Sequence, residues 1–144
     1  MHTIAFRVEE EELDSGRQEV VNVYVDGVRL EELARRVEQP FADAEGKPEL
    51  AGSYVGLARD VRWPSRHFLG EPVERWFYDG DTIVLGCSCG EPGCWPLTAH
   101  VEVAQDTVTW QTFRTGHRAW DLSALGPFVF DRGRYEAALR ATSR

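Results

Sequence analysis

The feature that most constrains the fold is an alternation of apolar and polar residues in the second half of the chain. In Leu97–Val103 every second residue is apolar, and a short Gln105-Asp106 turn then leads into another such segment. Successive side chains of a strand point to opposite faces, so this pattern is typical of half-buried antiparallel strands. We predict an antiparallel β-meander over about residues 73–113. Its four strands are expected at Val73–Tyr78, Thr82–Cys87, Leu97–Val103 and Thr107–Phe113.

The start of the chain carries two more strand patterns and one helical pattern. Apolar residues alternate over Ile4–Val8, and Val20–Val25 is rich in β-branched side chains. The charged run Glu9–Asp14 predicts a turn between these two strands. Apolar residues at helical spacing over Leu30–Val37 then predict a short helix, which Pro40 is expected to end.

The remaining segments complete a prediction of the α+β class. Residues 39–72 are rich in Pro and Gly but also in apolar side chains, which indicates ordered loop and short turns. Asp131 is a candidate N-cap for a short C-terminal helix. We therefore expect a single domain, 1–144, with an antiparallel β-meander (about 73–113), an N-terminal two-stranded unit and two short helices.

Composition and charge exclude several functional classes. The chain has a net charge of −8, and residues 1–50 contain 13 acidic and 6 basic side chains. Nucleic-acid binding needs clustered positive charge, so no nucleic-acid partner is expected. No apolar run is long enough for a membrane span, and the first residues do not form a signal peptide. The expectations are a cytoplasmic location with reduced thiols and an acidic surface that could bind a basic protein.

The distinctive chemical feature is a loop with three cysteines, Cys87, Cys89 and Cys94. In the predicted meander this loop joins the second strand to the third. The fourth strand returns toward the same end, which should bring His117 close to the cysteines. The first strand begins at that end, so His67 is expected in the same neighbourhood. Three thiolates and one imidazole can hold zinc, so Cys87, Cys89, Cys94 and His117 form a candidate metal site.

Several interpretations of this loop stay open. The favoured one is packed, reduced thiols beside Trp95. The second is zinc, although the Cys-x-Cys spacing is narrower than zinc knuckles usually show. The third is a reversible disulfide between Cys89 and Cys94. The last is a catalytic set in which a cysteine is paired with His117 and Asp121.

Other features have a structural explanation that we favour over a functional one. Four basic residues around Trp63-Pro64 could bind an anion, but they are more simply explained as partners for the chain's own carboxylates. They are Arg59, Arg62, Arg66 and His67. The aromatic residues of the meander, including Phe77 and Tyr78, are expected to pack in the core. Known phosphate-binding glycine loops and hydrolase motifs are absent from the sequence, so no catalytic residue is assigned.

The C-terminal third to half of the chain resembles a group of bacterial conserved hypothetical proteins. The resemblance rests on the cysteine loop with its pattern Cys-x-Cys-Gly-x-x-Gly-Cys-Trp-Pro-Leu, and on the order of the residues that follow it. No activity is associated with that group, so the resemblance implies a bacterial single-domain protein and transfers no function. The residues concerned are Cys87–Leu97, Trp110, Phe113, His117-Arg118, Trp120-Asp121 and Gly126–Asp131.

The sequence therefore favours a non-catalytic binding or regulatory domain of the bacterial cytoplasm, with an acidic N-terminal surface and a structural cysteine loop. The alternative is a small zinc- or thiol-redox-dependent enzyme with its site at the cysteine loop and His117. The sequence does not determine a cofactor, and zinc is the candidate that the cysteine loop suggests.

Overall fold

The chain forms two antiparallel sheets and two helices, which confirms the predicted α+β class. The computed structural model describes residues 1–143. The sheets have the strand orders β1-β2-β3 and β4-β5-β6-β7. The elements are β1 (Ile4–Leu13), β2 (Gly16–Val25), β3 (Val28–Arg29), α1 (Leu30–Ala44), β4 (Thr82–Leu85), β5 (Leu97–Val103), β6 (Thr107–Thr115), β7 (Phe128–Asp131) and α2 (Arg132–Arg140), with single 3-10 turns at Pro48–Leu50, Arg59–Val61, His67–Leu69 and Pro92–Cys94.

The N-terminal hairpin is longer than its apolar pattern indicated. Strands β1 and β2 pair along their full length, so the segment Glu9–Asp14, predicted as a turn, belongs to β1 as far as Leu13. Its carboxylates find donors across the hairpin, because Asn22 Nδ2 lies 2.8 Å from Glu9 and 3.0 Å from Glu11. Charged residues are compatible with a strand when the neighbouring strand supplies their partners.

Helix α1 continues past Pro40, contrary to the prediction that this proline ends it. Proline removes one backbone hydrogen bond of a helix and crowds the preceding turn. Here the last turn is held by tertiary contacts: Ala42 is fully buried, and the ring of Phe41 stacks on Trp120 with a centroid distance of 6.4 Å. Packing therefore outweighs the local preference for ending the helix.

The second sheet is a four-stranded meander that begins later in the chain than predicted. Val73–Tyr78 is not a strand, and only Arg75 forms a bridge, to Thr82. The chain turns at this point because the amide of Trp76 donates to the carbonyl of Asp81 at 2.8 Å. The fourth position of the sheet is filled by β7, which pairs with β6.

One hydrophobic core contains residues of both sheets and of α2. Its centre is aromatic. Phe6 of β1 lies 4.8 Å from Phe68 and 5.5 Å from Tyr135, measured between ring centroids. The indole nitrogen of Trp110 donates to the hydroxyl of Tyr135 at 3.0 Å, so the one polar contact among these rings is satisfied. Helix α2 begins at the predicted cap, since Asp131 Oδ2 accepts from the amide of Arg134 at 2.9 Å.

Both edges of the four-stranded sheet are covered by short bridges. At the β4 edge, Val55 pairs with Gly86 and Arg75 with Thr82. At the β7 edge, His2 pairs in parallel with Phe130. Through these contacts the irregular segment between α1 and β4 and the first residues of the chain pair with the sheet.

Candidate metal centre

The candidate site lies in the loop between β4 and β5, residues 86–96, which we call the cysteine loop. Strand β4 is buried along its length and ends at Leu85, so Cys87 leaves the sheet directly from the core. The amide of Gly90 donates to the carbonyl of Cys87 at 3.1 Å, and Gly90 has a φ of +93°, which favours glycine. The turn at Pro92–Cys94 then brings the third cysteine back toward the first two.

The three sulfur atoms converge. The Sγ atoms of Cys87, Cys89 and Cys94 all lie within 4.8 Å of one another. Cys87 is half-buried, whereas Cys89 and Cys94 are exposed. The favoured interpretation of the sequence, packed thiols, is therefore wrong for Cys89 and Cys94. Their exposure follows from the position of the turn, which projects from the end of the sheet instead of folding beneath it.

The three thiols differ in acidity. Burial raises the pKa of the Cys87 thiol. The Glu91 backbone, together with the thiols of Cys87 and Cys94, lowers the pKa of Cys89. Hydrogen bonding with Cys89 raises the pKa of Cys94 to about 11. A first negative charge at this site is therefore held by Cys89 and stabilised by its two neighbours.

This arrangement suits two kinds of thiol chemistry. Zinc–sulfur bonds of about 2.3 Å in a tetrahedron place the sulfur atoms roughly 3.8 Å apart, which the three thiols reach with small side-chain adjustments. Alternatively, two of the thiols can approach to form a disulfide of about 2.05 Å. The first needs all three sulfur atoms, and the second needs only a pair.

His117 lies at the cysteine end of the sheet, as the meander predicted. The register pairs Leu97 with Thr115, so the residues after β6 lie beside the cysteine loop. The Nε2 atom of His117 is 3.0 Å from the carbonyl oxygen of Gly93, and its ring meets Trp76 edge-on at 5.1 Å. Among residues 1–143, the group of possible metal ligands within 4.8 Å of one another contains the three cysteines without His117.

His67 is a structural residue and not a ligand. Its side chain is fully buried, with Nε2 2.8 Å from the carbonyl oxygen of Ile83. Nδ1 accepts from the amides of Val73 and Glu74 at 3.1 and 3.3 Å. Burial lowers the pKa of His67 to about 4. Both ring nitrogens are occupied by backbone groups, so this histidine has no free lone pair for a metal.

The catalytic set of a cysteine, His117 and Asp121 is not assembled in the structure. The side chain of Asp121 accepts from the amide of Ser123 at 2.9 Å, and hydrogen bonding to the side chain and amide of Ser123 lowers the pKa of the carboxyl group. The ring of His117 is hydrogen-bonded to Gly93. Asp121 therefore does not orient the histidine, and the catalytic interpretation lacks the residue that should hold His117 in place.

Two of the three arginines near Trp63 have partners within the molecule. Arg62 donates to the carbonyl of Thr142 at 2.6 Å and lies 3.7 Å from Glu19. Arg66 pairs with Glu71. These contacts agree with the structural explanation for Arg62 and Arg66. Arg59 is exposed, and its side chain makes no ion pair within the described residues.

Two contacts of the cysteine loop could not be read from the sequence. The amide of Asp14, at the tip of the β1–β2 hairpin, donates to the carbonyl of Ser88 at 3.0 Å. Gly116 packs so closely that a Cβ atom there would lie 2.7 Å from Pro96 and 3.0 Å from Trp76. Both contacts join segments that are distant in the sequence. Only Gly116 indicates such a contact locally, because a residue without a Cβ atom allows other segments to pack closely against it.

Comparison with family models, curated proteins and solved structures finds no match for this chain. Within residues 1–143, neither helix has the length and apolar character needed to cross a membrane. The fold and the site define an α+β domain with a three-thiol loop. The function of the protein is inferred from that loop alone.

Proposed function

We propose that this protein is a non-catalytic binding domain whose cysteine loop holds one thiophilic metal ion, with zinc as the candidate. The observation that carries the proposal is the convergence of the Cys87, Cys89 and Cys94 sulfur atoms to within 4.8 Å. Thiolates are strong zinc ligands, and structural zinc sites use four protein ligands. The fourth is assigned to His117, whose contact with Gly93 places it beside Cys94.

The role of the metal is to fix the end of the sheet. Trp95 packs against the core at the end of the cysteine loop, but the thiols of Cys89 and Cys94 are exposed. A bound ion would hold this exposed part of the loop through metal–ligand bonds, as in small metal-stabilised domains. The hairpin tip at Asp14 and the segment after β6 both contact the loop, so they would be stabilised with it.

The proposed partner is a basic protein in a reducing compartment, in line with a bacterial cytoplasmic location. The chain has a net charge of −8, which favours encounter with cations and disfavours nucleic acid. Much of the acidic run on β1 is already paired: Arg29 lies 2.7 Å from Glu11, and Arg17 lies 3.3 Å from Glu10. The binding surface is therefore expected elsewhere on the molecule.

Elemental analysis of untagged protein, purified under reducing conditions, tests the metal assignment. We expect stoichiometric zinc and thiols that react with a thiol reagent only after chelation. The variant Cys89→Ser/Cys94→Ser should lose the metal. Ser88→Ala serves as the matched control, because it changes the same loop and leaves all three thiols. Metal-free protein with three freely titrating thiols would contradict the proposal.

A thiol-redox enzyme is the second candidate, and the exposure of both Cys89 and Cys94 favours it. In that case the two thiols would give two protons and two electrons to a disulfide such as glutathione disulfide. The protein would gain a Cys89–Cys94 bond, and two glutathione thiols would be released. Equilibration in glutathione buffers followed by peptide mapping distinguishes the two candidates. A disulfide that forms reversibly in metal-free protein supports the redox candidate, and thiols that stay metal-bound exclude it.

A further inference from the structure

The three thiols of the cysteine loop form a donor set that an ion with three sulfur ligands can use completely. The Sγ atoms of Cys87, Cys89 and Cys94 all lie within 4.8 Å of one another, and no other ligand atom of residues 1–143 belongs to this group. Tetrahedral zinc uses four ligands, so the thiols supply only three of its four positions. An ion that prefers three thiolates finds all of its ligands within the loop.

His117 is held beside the loop by contacts that do not involve the thiols. Its Nε2 atom lies 3.0 Å from the carbonyl oxygen of Gly93, and its ring meets that of Trp76 edge-on at 5.1 Å. Trp76 is itself buried. The neighbouring Phe77 and Tyr78 are 71% and 75% exposed, so the prediction that they pack in the core is wrong. An ion with three ligands leaves these contacts of His117 intact.

The group of thiols is open to solvent on one side. Cys89 and Cys94 are exposed, whereas Cys87 is half-buried at the base of the loop. An incoming ion therefore reaches two thiols from solvent and the third behind them. Trivalent arsenic binds three thiolates in a trigonal pyramid and keeps a lone pair on the side away from the sulfur atoms. Such an ion needs an open face, and a fourth donor would obstruct it.

The charge of the loop also favours trivalent arsenic over other soft ions. Residues 86–96 contain one acidic side chain, Glu91, and no basic one. The guanidinium of Arg118 lies 5.1 Å from the ring centre of Trp95, but it pairs with Glu45 at 3.1 Å. Three thiolates around Cu(I) would leave two negative charges that no side chain of the loop neutralises. Three thiolates around As(III) form a neutral complex.

We propose that the cysteine loop binds trivalent arsenic, taken up as arsenous acid, through Cys87, Cys89 and Cys94. Three As–O bonds break and three As–S bonds form. Each thiol gives its proton to a departing hydroxyl group, so three water molecules are released and arsenic stays trivalent. The inference rests on the proposed function, because the same three thiols hold the ion in both cases, and it adds an ion that does not use His117.

Titration with sodium arsenite tests the proposal. The protein is reduced with a phosphine, since thiol reductants bind arsenite themselves, and a chelator removes zinc beforehand. We expect one arsenic per chain, with the rise in ultraviolet absorbance that accompanies As–S bonds. Mass spectrometry of the intact protein should show the gain of one arsenic atom and the loss of three hydrogens. A loss of only two hydrogens would mean that a pair of thiols binds, and it would overturn the inference.

Single cysteine variants show whether the third thiol contributes. Cys94→Ser should weaken arsenite binding roughly tenfold or more, because the third As–S bond forms within an already bound complex. Phenylarsine oxide, whose arsenic has only two positions for sulfur, should still bind this variant, which shows that Cys87 and Cys89 still converge. Cys89→Ser should behave in the same way, and Ser88→Ala is the matched control that keeps all three thiols. Equal arsenite affinity of the wild type and both cysteine variants would overturn the inference.

His117→Gln separates arsenic binding from zinc binding. Its amide can still donate to the Gly93 carbonyl, but the imidazole is lost as a metal ligand. Its zinc affinity should fall, whereas its arsenite affinity should equal that of the wild type. Protein that holds no zinc but binds arsenite through three thiols would overturn the zinc assignment alone. Protein that holds zinc but, after chelation, binds no arsenite would overturn this inference alone.

Discussion

His117 and Gly93 hold the two sides of the candidate site together. The Nε2 atom of His117 lies 3.0 Å from the Gly93 carbonyl oxygen, one residue before Cys94. A carbonyl only accepts, so in the neutral imidazole Nε2 carries the proton and Nδ1 has the lone pair. Histidines that bind metals commonly donate their other ring N–H to such a carbonyl. The contact thus prepares Nδ1, and not Nε2, for the role of fourth ligand.

Replacing this histidine should weaken zinc binding without abolishing it. We expect His117→Ala to lower the affinity roughly 10- to 100-fold, because three thiolates remain while one ligand and one orienting contact are lost. Competition with a chromophoric chelator measures the change. His100→Ala is the matched control, since His100 is also exposed and lies on β5 near Asp81. Equal affinity of the wild type and His117→Ala would show that the fourth ligand comes from elsewhere.

Chelation should loosen the hairpin tip as well as the cysteine loop. The amide of Asp14 donates to Ser88, and the amide of Cys94 donates to Glu91 at 3.0 Å. Once the metal is removed, these hydrogen bonds open more often, so both amides should exchange faster with deuterium. The amide of Val21, which donates to Leu57 at 2.7 Å, provides the internal control and should not change. Unchanged exchange at Asp14 would mean that the loop holds its shape without metal.

The buried histidine should make the fold sensitive to acid. The pKa of His67 falls from an ordinary 6.5 to about 4 on burial. Between these values the unfolded chain binds a proton that the folded chain does not. The free energy of unfolding should therefore decrease as the pH falls from 6.5 toward 4, by up to about 3 kcal/mol from this residue.

Urea unfolding at several pH values measures this dependence. His67→Gln cannot take up the proton, so its free energy of unfolding should vary less with pH over this range, although the variant is less stable overall. Carboxylates are common to both proteins. Their contribution therefore cancels when the free energy of unfolding of His67→Gln is subtracted from that of the wild type at each pH. Parallel pH profiles would rule out His67 as the acid-sensitive group.

Glu38 should be important for stability although its polar side chain lies in the protein interior. Its side chain is fully buried, with one oxygen accepting from the amide of Gly52 at 2.8 Å and the other from the hydroxyl of Tyr54. Burial raises the pKa of this carboxyl group. We expect Glu38→Ala to cost about 3 kcal/mol, because two donors lose their acceptor, and Glu38→Gln about 1 kcal/mol.

Chemical denaturation of both variants gives these values. Glu32→Ala, on the same helix, removes exposed ion pairs with Arg35 and Arg36 and should change stability by no more than about 0.5 kcal/mol. An equal effect of Glu38→Ala and Glu32→Ala would contradict the role assigned to Glu38.

Local patterns predicted the regular parts of the fold well. Leu97–Val103 is a strand with the predicted bounds, and Asp131 caps the last helix. The position of His117 also followed from the sequence, because in a meander the length and order of the strands determine which loops share an end. These features depend on short-range periodicity and on the general geometry of antiparallel strands.

The errors arose where distant contacts decide the structure. The aromatic run before Asp79 has the composition of a strand, yet backbone hydrogen bonds around Trp76 make it a turn. The burial of His67 depends on the carbonyl of Ile83, which no local pattern reveals. The convergence of the thiols depends on the turn at Pro92–Cys94, because cysteine spacing alone does not specify the path of the loop. The resemblance to bacterial hypothetical proteins and the single-domain boundary stay predictions.

The bridges at the two edges of the four-stranded sheet limit how a partner can associate with it. Many proteins recruit a peptide by letting it join a sheet as an extra strand, through backbone hydrogen bonds. Here such a peptide would first have to displace Val55 and Arg75 from one edge or His2 from the other. A partner must therefore recognise this sheet through side chains. Such recognition depends on the sequence of the partner, whereas addition of a strand through backbone hydrogen bonds does not.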